Sequence, residues 1–213
     1  MTARESHLVE LVSLDGRAIG SDTVFAAHQA PGRLHRAFSV FLRDATTGRV
    51  LLQQRAAVKT RFPLRWANTC CGHPLPGEDL AVAARRRLAE ELGLPAMPLR
   101  AVGVHTYRAE DPESGRVEHE YDHVLVGDLP VGVRPEPDPD EVAGLRWVSV
   151  PGLLAELSAD PRPFAPWLLG VATRLAEHQS RLPSPRSNAS SFTPVPPSGT
   201  GVNDDAPERS GGR

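Results

Sequence analysis

No run of about 18 apolar residues occurs in the 213-residue chain, so no segment reads as a membrane-spanning helix. The first residues carry Glu5, Glu10 and Asp15, where a secretory leader needs an unbroken apolar stretch. An excess of positive charge is also missing. Lys and Arg total 24 against 26 Asp and Glu, a net charge of −2, so nothing basic argues for a nucleic-acid partner. Cysteine is scarce, and the only two, Cys70 and Cys71, are adjacent. A bridge between neighbours would be strained and would staple nothing distant, so both read as free thiols in a reducing compartment. The expectation is a cytoplasmic protein with no membrane insertion.

What is present suffices for one core. The apolar fraction is 40%, with 18 glycines beside it, on a chain long enough for one domain or for one domain and a tail. Composition changes at residue 183. From Pro183 to Arg213, 16 of 31 residues are Pro, Gly or Ser, and Phe192 is the one aromatic. Such a segment cannot bury enough apolar surface to offset its ordering entropy, and it is expected to be a disordered tail whose deletion leaves activity intact.

Residues 1–182 read as one α/β unit. His7–Leu14 reads as a strand ended by the turn dipeptide Asp15-Gly16. Ala37–Arg43 and Arg49–Arg55 read as a hairpin around Asp44–Gly48, and Leu99–Tyr107 and Val117–Val126 as two more strands joined by a polar turn. Leu145–Val150 is the last expected strand. Helical spacing runs through Leu80, Ala83, Ala84, Leu88 and Leu92, with Asp79 as N-cap and Gly93 as stop, and Pro163–Leu182 carries a second amphipathic helix. Strands interleaved with helices predict an α/β fold, a mixed β-sheet sandwiched between helices.

The strongest chemical signal spans the 23 positions from Gly72 to Leu94. It reads Gly72, five residues, Glu78, seven residues, Arg86-Arg87-Leu88, one residue, Glu90-Glu91, one residue, Gly93-Leu94. Read without any family, this is a surface helix with Arg86–Glu90 and Arg87–Glu91 pairs, worth a few tenths of a kcal/mol. The whole spacing, however, resembles the Nudix box, a loop and helix that collect carboxylates around a divalent cation holding a diphosphate. It departs at one defining place, where Arg87 stands for the box's second Glu. Losing a carboxylate and gaining a cation argues against hydrolysis while keeping a partner for phosphate. Hard oxygen ligands of this kind suit Mg²⁺.

Other residues add to that signal. Cys71 stands two positions before His73, a pairing that serves acid–base work or, equally, a buried thiol beside a loop histidine. His28 and His35 fit no zinc-finger spacing. Glu118 and Glu120 would share one face of a strand, either as a solubility pair or, facing a cavity, as two carboxylates that repel unless a cation lies between them.

Taken together, His28, His35, Cys71-Gly72-His73-Pro74, the degenerate box ending in Glu91-Leu92-Gly93, Tyr107-Arg108-Ala109 and Glu118-x-Glu120 resemble the type I isopentenyl-diphosphate isomerases. The resemblance covers most of residues 7–175 and implies a Nudix-like fold. It further implies interconversion of isopentenyl and dimethylallyl diphosphate by an allylic proton shift through a tertiary carbocation. Cys71 and Glu120 match the acid–base pair of that family, with Glu120 expected as forward donor and Cys71, as thiolate, the acceptor. His28, His35, His73, Glu118 and Glu120 match its metal ligands, a set suited to Zn²⁺ or Mn²⁺. Glu91 matches a second site where Mg²⁺ joins protein to diphosphate. Arg55, Lys59 and Arg87 match the cations around that diphosphate. Trp167 matches an aromatic wall for the carbocation, and Tyr107 is expected to orient Glu120. The core-packing reading of both aromatics, and a solvated basic face for the three cations, stay open at this level. The family often has a lysine near Val24, which is absent from Asp22-Thr23-Val24-Phe25 here, leaving Arg33 or Arg36 to compensate. A monomer or weak dimer acting on a small isoprenoid diphosphate is expected. A Nudix hydrolase and a non-catalytic Nudix-like module are the competing readings.

Overall fold

The computed structural model describes residues 3–181, and the expected tail at 183–213 lies outside the described residues. After a 3-10 turn at Ala3–Ser6, the chain forms β1 (Leu8–Val12), β2 (Ala18–Thr23), α1 (Val24–Ala27), β3 (His35–Asp44) and β4 (Val50–Arg55). There follow β5 (Trp66–Ala67), β6 (Cys70–Gly72), α2 (Leu80–Leu92), β7 (Arg100–Glu110) and β8 (Val117–Leu129). The series ends with β9 (Val142–Val148), α3 (Val150–Ala159) and α4 (Leu168–Arg181). Among the described residues no helix is long and apolar enough to cross a membrane.

β3 organises the sheet. It pairs antiparallel with β1, β4 and β6, and parallel with β8 from His35↔Glu120 to Asp44↔Leu129. β8 carries β7 antiparallel on its other side, and β9 pairs with β4. One parallel pair among antiparallel ones makes the sheet mixed. The two-residue period of β3 then sorts its side chains between two cores. Phe38, Val40 and Leu42 pack with Ala84, Leu88 and Leu92 of α2. Phe41, with Val124 and Val126 of β8, packs with Leu153 of α3 and with Leu168 and Val171 of α4. Helices therefore cover both faces, as expected.

The bounds of α2 are those read from its periodicity. The Asp79 carboxylate accepts from Val82 N at 2.9 Å, and Gly93 ends the helix at φ 62°, a left-handed conformation that favours glycine. Both expected hairpins form. Two expectations need correction, and one strand is new. The last strand stops at Val148, because Ser149 caps a new helix by accepting from Gly152 N and Pro151 fits its first turn. The last helix starts at Leu168 rather than Pro163, because Pro163 O and Ala165 N are bonded to the backbone of Trp66. β2 was not expected at all, since four of its six residues are exposed and no alternation marks it.

Candidate active site

One face of β8 presents Glu118, Glu120 and Asp122 in turn, all buried, before Val124 returns to the apolar core. Glu120 stands across from His35 of β3 and from Tyr107 of β7, and Cys71 of β6 stands across from Ser39 of β3. His28 is the C-cap of the one-turn α1, and His73 follows β6. The β3–β8 register brings His35 to Glu120, while the Val117 N–H bonds His28 O at 2.9 Å and seats His28 beside Glu118. A one-residue slip would turn each strand's set to the opposite face.

The ligand atoms of His28, His35, His73, Glu118 and Glu120 all lie within 4.8 Å of one another. His28 Nδ1 is 2.6 Å from Val24 O and His35 Nδ1 is 2.8 Å from Arg33 O. A carbonyl only accepts, so each Nδ1 carries the hydrogen and each Nε2 presents a lone pair inward. Those lone pairs face carboxylate oxygens: His28 Nε2 is 2.9 Å from Glu118 Oε2, and His35 Nε2 is 3.6 Å from Glu120 Oε1. His35 Nε2 is buried without a hydrogen-bond partner. Acceptor facing acceptor at these separations is stable where a cation is shared, so the donor set fits a divalent metal ion.

Burial and the Glu118 charge push the Glu120 carboxyl up; in their doubly protonated form the His35 and His73 rings donate to it, outweigh both and hold it at about 2, whereas rings that face it with a lone pair leave that role to a shared cation. Burial opposes ionisation of Glu118 too, yet His28 and Arg61 hold it well below the usual carboxylate range. Burial takes the His73 imidazole down to about 4. The Tyr107 hydroxyl donates to Glu120 Oε2 at 2.8 Å, and burial and the Glu120 charge hold its own pKa well up. The expected contact of Tyr107 with Glu120 is thus present. Burial, then Asp122, pushes the Cys71 thiol up to about 12.

These groups open onto a cavity of about 570 Å³ lined by Cys71, His73, Tyr107, Glu118, Glu120 and Trp167. His28 and His35 are fully buried. The same cavity is lined by Arg55, Lys59, Arg87 and Glu91. Arg87 pairs with Glu90 and Glu91, and Lys59 pairs with Glu141 and lies 3.8 Å from Glu91. The Arg55 guanidinium donates to the carbonyls of Arg61 and Phe62 and lies 5.4 Å from the centre of the Trp167 ring. All twelve residues singled out in the sequence are therefore in or directly behind one cavity wall. The compensation expected from Arg33 or Arg36 is not found: Asp22 holds Arg33, Glu10 holds Arg36, and neither lines the cavity. Arg4, Arg61 and Arg86 line it instead.

Glu91 is 2% exposed and also accepts from Gln53 Nε2 at 3.1 Å. Burial raises its pKa, but Lys59 and Arg87 more than reverse this and hold it below the ordinary value. A depressed carboxylate contributes stability above its unfolded pKa of about 4.3, which is lost as pH falls through the folded value. Glu91→Gln is therefore expected to cost about 3 kcal/mol at pH 7, the scale for breaking a buried ion pair. The difference from the parent should begin to narrow as pH falls below about 4.3 and close only once pH lies beneath the folded value, as a series of urea titrations at falling pH would show.

Several participants had no local signature. Asp122 extends the alternation of Glu118 and Glu120 by one step and was legible in principle. Arg61, which donates to Glu118 Oε1 at 2.8 Å and to Glu5 Oε1 at 3.0 Å, and Glu141, which meets Lys59, Arg87 and Arg4, are brought in by long-range packing alone.

The fold and this acid-and-cation cavity define a NUDIX-domain protein, and the NUDIX domain matches residues 33–168. The structure resembles DR0079 of Deinococcus radiodurans, at a TM-score of 0.62 and 22% identity, covering 79% of this chain and 98% of that one. It also resembles the Nudix hydrolase RenU of M. smegmatis, at 0.52 and 24%, covering 74% and 95%. At such identities these likenesses concern the fold alone. In sequence the chain is 62% identical over 163 residues to the isopentenyl-diphosphate Delta-isomerase of Nocardia farcinica, covering 76% of this chain and 91% of the relative. It is 50% identical over 167 residues to that of Streptomyces coelicolor, covering 78% and 82%. The chain belongs to the isopentenyl-diphosphate Delta-isomerase family.

Proposed function

We propose that this protein interconverts isopentenyl and dimethylallyl diphosphate in isoprenoid biosynthesis, with Cys71 and Glu120 as the acid–base pair. The observation that carries the reading is one cavity lined by a thiol, a tyrosine-bound carboxylate, a Trp face and a cluster of cations, in a chain 62% identical to a named isomerase. Arg87 supports it against hydrolysis, because the box position that supplies a carboxylate in that resemblance here holds a guanidinium paired with Glu90 and Glu91.

Transposing the double bond requires a proton delivered to one carbon and a different proton removed from another. An alkene is a weak base, so both groups must sit in reach with matched acidity. Tyr107 orients the Glu120 carboxylate by its 2.8 Å hydrogen bond, and the Trp167 face lends electron density to a cationic carbon without adding to it. Arg55, Lys59 and Arg87 would hold the diphosphate, with Glu91 as the carboxylate that would take Mg²⁺ there. His28, His35, His73, Glu118 and Glu120 would hold Zn²⁺ or Mn²⁺; such an ion would supply positive charge that strengthens the acid form of Glu120 as a donor.

Burial favours the thiol form of Cys71. With Glu120 facing the carbon protonated in the forward direction, Glu120 donates and Cys71 accepts in that direction, and in the reverse one Cys71 donates and Glu120 accepts. The same groups run both directions, as a reversible transposition demands.

Conversion of isopentenyl diphosphate into an acid-labile allylic diphosphate tests the function; recovery of substrate unchanged by metal-loaded, folded protein counts against it. His35→Ala should weaken metal affinity by more than about tenfold in a calorimetric titration with Zn²⁺, since even outer partners of such sites reach that scale. Unchanged affinity would remove the cluster as a metal site. We further propose a cytoplasmic monomer or weak dimer that takes no nucleic acid. The segment 183–213 is proposed to be dispensable, so a chain ending at residue 182 should keep its turnover.

A further inference from the structure

Asn68 is fully buried in the link between β5 and β6 and does not line the cavity, yet it touches two residues that do. Its amide has one orientation. Nδ2 donates one hydrogen to Val40 O at 3.2 Å and the other to Cys70 O at 2.8 Å, and a flipped amide would set oxygen against both carbonyls. Oδ1 is thereby aimed at two donors, Cys71 Sγ at 3.1 Å and Trp167 Nε1 at 3.1 Å. Ser39 packs against the sulfur: its Oγ lies 3.7 Å from Cys71 Sγ, a contact without a hydrogen of its own, since the Ser39 hydroxyl donates to Asp122 Oδ2 at 2.7 Å and the thiol donates to Asn68.

We infer that Asn68 is a positioning residue that sets the Cys71 sulfur and the Trp167 ring relative to one another, with Ser39 packed against the sulfur. This rests on the reading of Cys71 as an acid–base group. A cysteine side chain turns about one bond, so one hydrogen bond and one packing contact from separate elements select its rotamer. The single Oδ1 acceptor also ties that rotamer to the ring held against a cationic carbon. Proton transfer at carbon tolerates little error in placement, and a misplacement of about 1 Å costs about 100-fold in rate. Asn68 acts on the reaction only through the two side chains it holds.

The test compares metal-loaded full-length protein with Asn68→Ala and Asn68→Asp. Asn68→Ala should lower kcat about 100-fold and leave KM for isopentenyl diphosphate within about threefold and metal content unchanged. The indole N–H proton resonance of Trp167, identified by its absence in Trp167→Phe, should move upfield. Asn68→Asp keeps an oxygen for Cys71 and Trp167, but its other oxygen can face the Val40 and Cys70 carbonyls only as a protonated acid that donates to one of them, so it should recover at least about tenfold of the lost kcat, measured against the parent at the same pH, as pH is lowered. A role confined to those two carbonyls predicts the opposite, with Asn68→Asp as impaired as Asn68→Ala, and that result overturns the inference. So does wild-type kcat in Asn68→Ala, or a loss of kcat that runs in step with KM and metal content. If Asn68→Ala does not fold, Ser39→Ala carries the test, with kcat expected to fall about tenfold at unchanged KM and unchanged kcat counting against the cradle. Failure of the underlying reading is distinct: it would show as full turnover in Cys71→Ala or no isomerisation by the parent protein.

Discussion

Cys71→Ala is expected to lower turnover of isopentenyl diphosphate by about 100- to 10,000-fold, the range that a positioned acid–base group contributes, with KM little changed. The thiol is half-buried on the cavity wall, and its sulfur is held by Asn68 and Ser39 rather than left free in solvent. Alanine removes the group and leaves only a small space, so the fold should persist. The neighbouring thiol cannot substitute. Cys70 is fully buried on the opposite face of β6, packed with Leu88 and Leu92 under α2, where burial holds its pKa well above the ordinary thiol value. Cys70→Ala should therefore retain activity and one alkylatable thiol. Steady-state kinetics on both variants decide the matter: turnover within about tenfold of the parent in Cys71→Ala removes it from the acid–base pair.

Glu120→Gln is expected to lose at least as much, because it removes two functions at once. The carboxylate faces His73 at 2.8 Å and His35 at 3.6 Å through Oε1, and accepts from Tyr107 at 2.8 Å through Oε2. An amide keeps the shape but offers neither a titratable proton nor an anionic ligand. Turnover should fall by about 10,000-fold or more, with metal affinity falling alongside it. Tyr107→Phe, which removes only the orienting hydrogen bond, should be much milder. Kinetics combined with metal titration separate the two functions. Glu120→Gln that binds metal as the parent does would place the carboxylate outside the metal site, and substantial residual turnover would place it outside the chemistry.

The legible part of this molecule was local. The α2 helix announced both ends through Asp79 and Gly93, and the Glu118–Glu120 alternation announced a shared face because strand geometry has a period of two. Short connections such as Asp44–Gly48 fixed the hairpins. The function came from resemblance, since no spacing rule predicts that His28, near the N-terminus, meets Glu118 on β8. What stayed hidden was of two kinds. Exposed β2 had no apolar pattern to read, and the expected strand Leu145–Val150 ran past the Ser149 cap into the first residue of the helix Val150–Ala159, which was not expected. The buried partners Asn68, Ser39, Arg61 and Glu141 carry no signature at all. Their roles arise from the pairing of β3 with β6 and β8 and from a loop folded over it, which are relations between segments rather than properties of any one.

The central claim is allylic proton exchange with the diphosphate kept whole. It is tested most directly by an NMR time course of metal-loaded protein with isopentenyl diphosphate and Mg²⁺ in D₂O. Dimethylallyl diphosphate carrying deuterium should appear in the proton and deuterium spectra, while the phosphorus spectrum keeps both phosphates on the product. Release of inorganic phosphate or a monophosphate without isomerisation would contradict the account and return the protein to the hydrolases whose fold it shares.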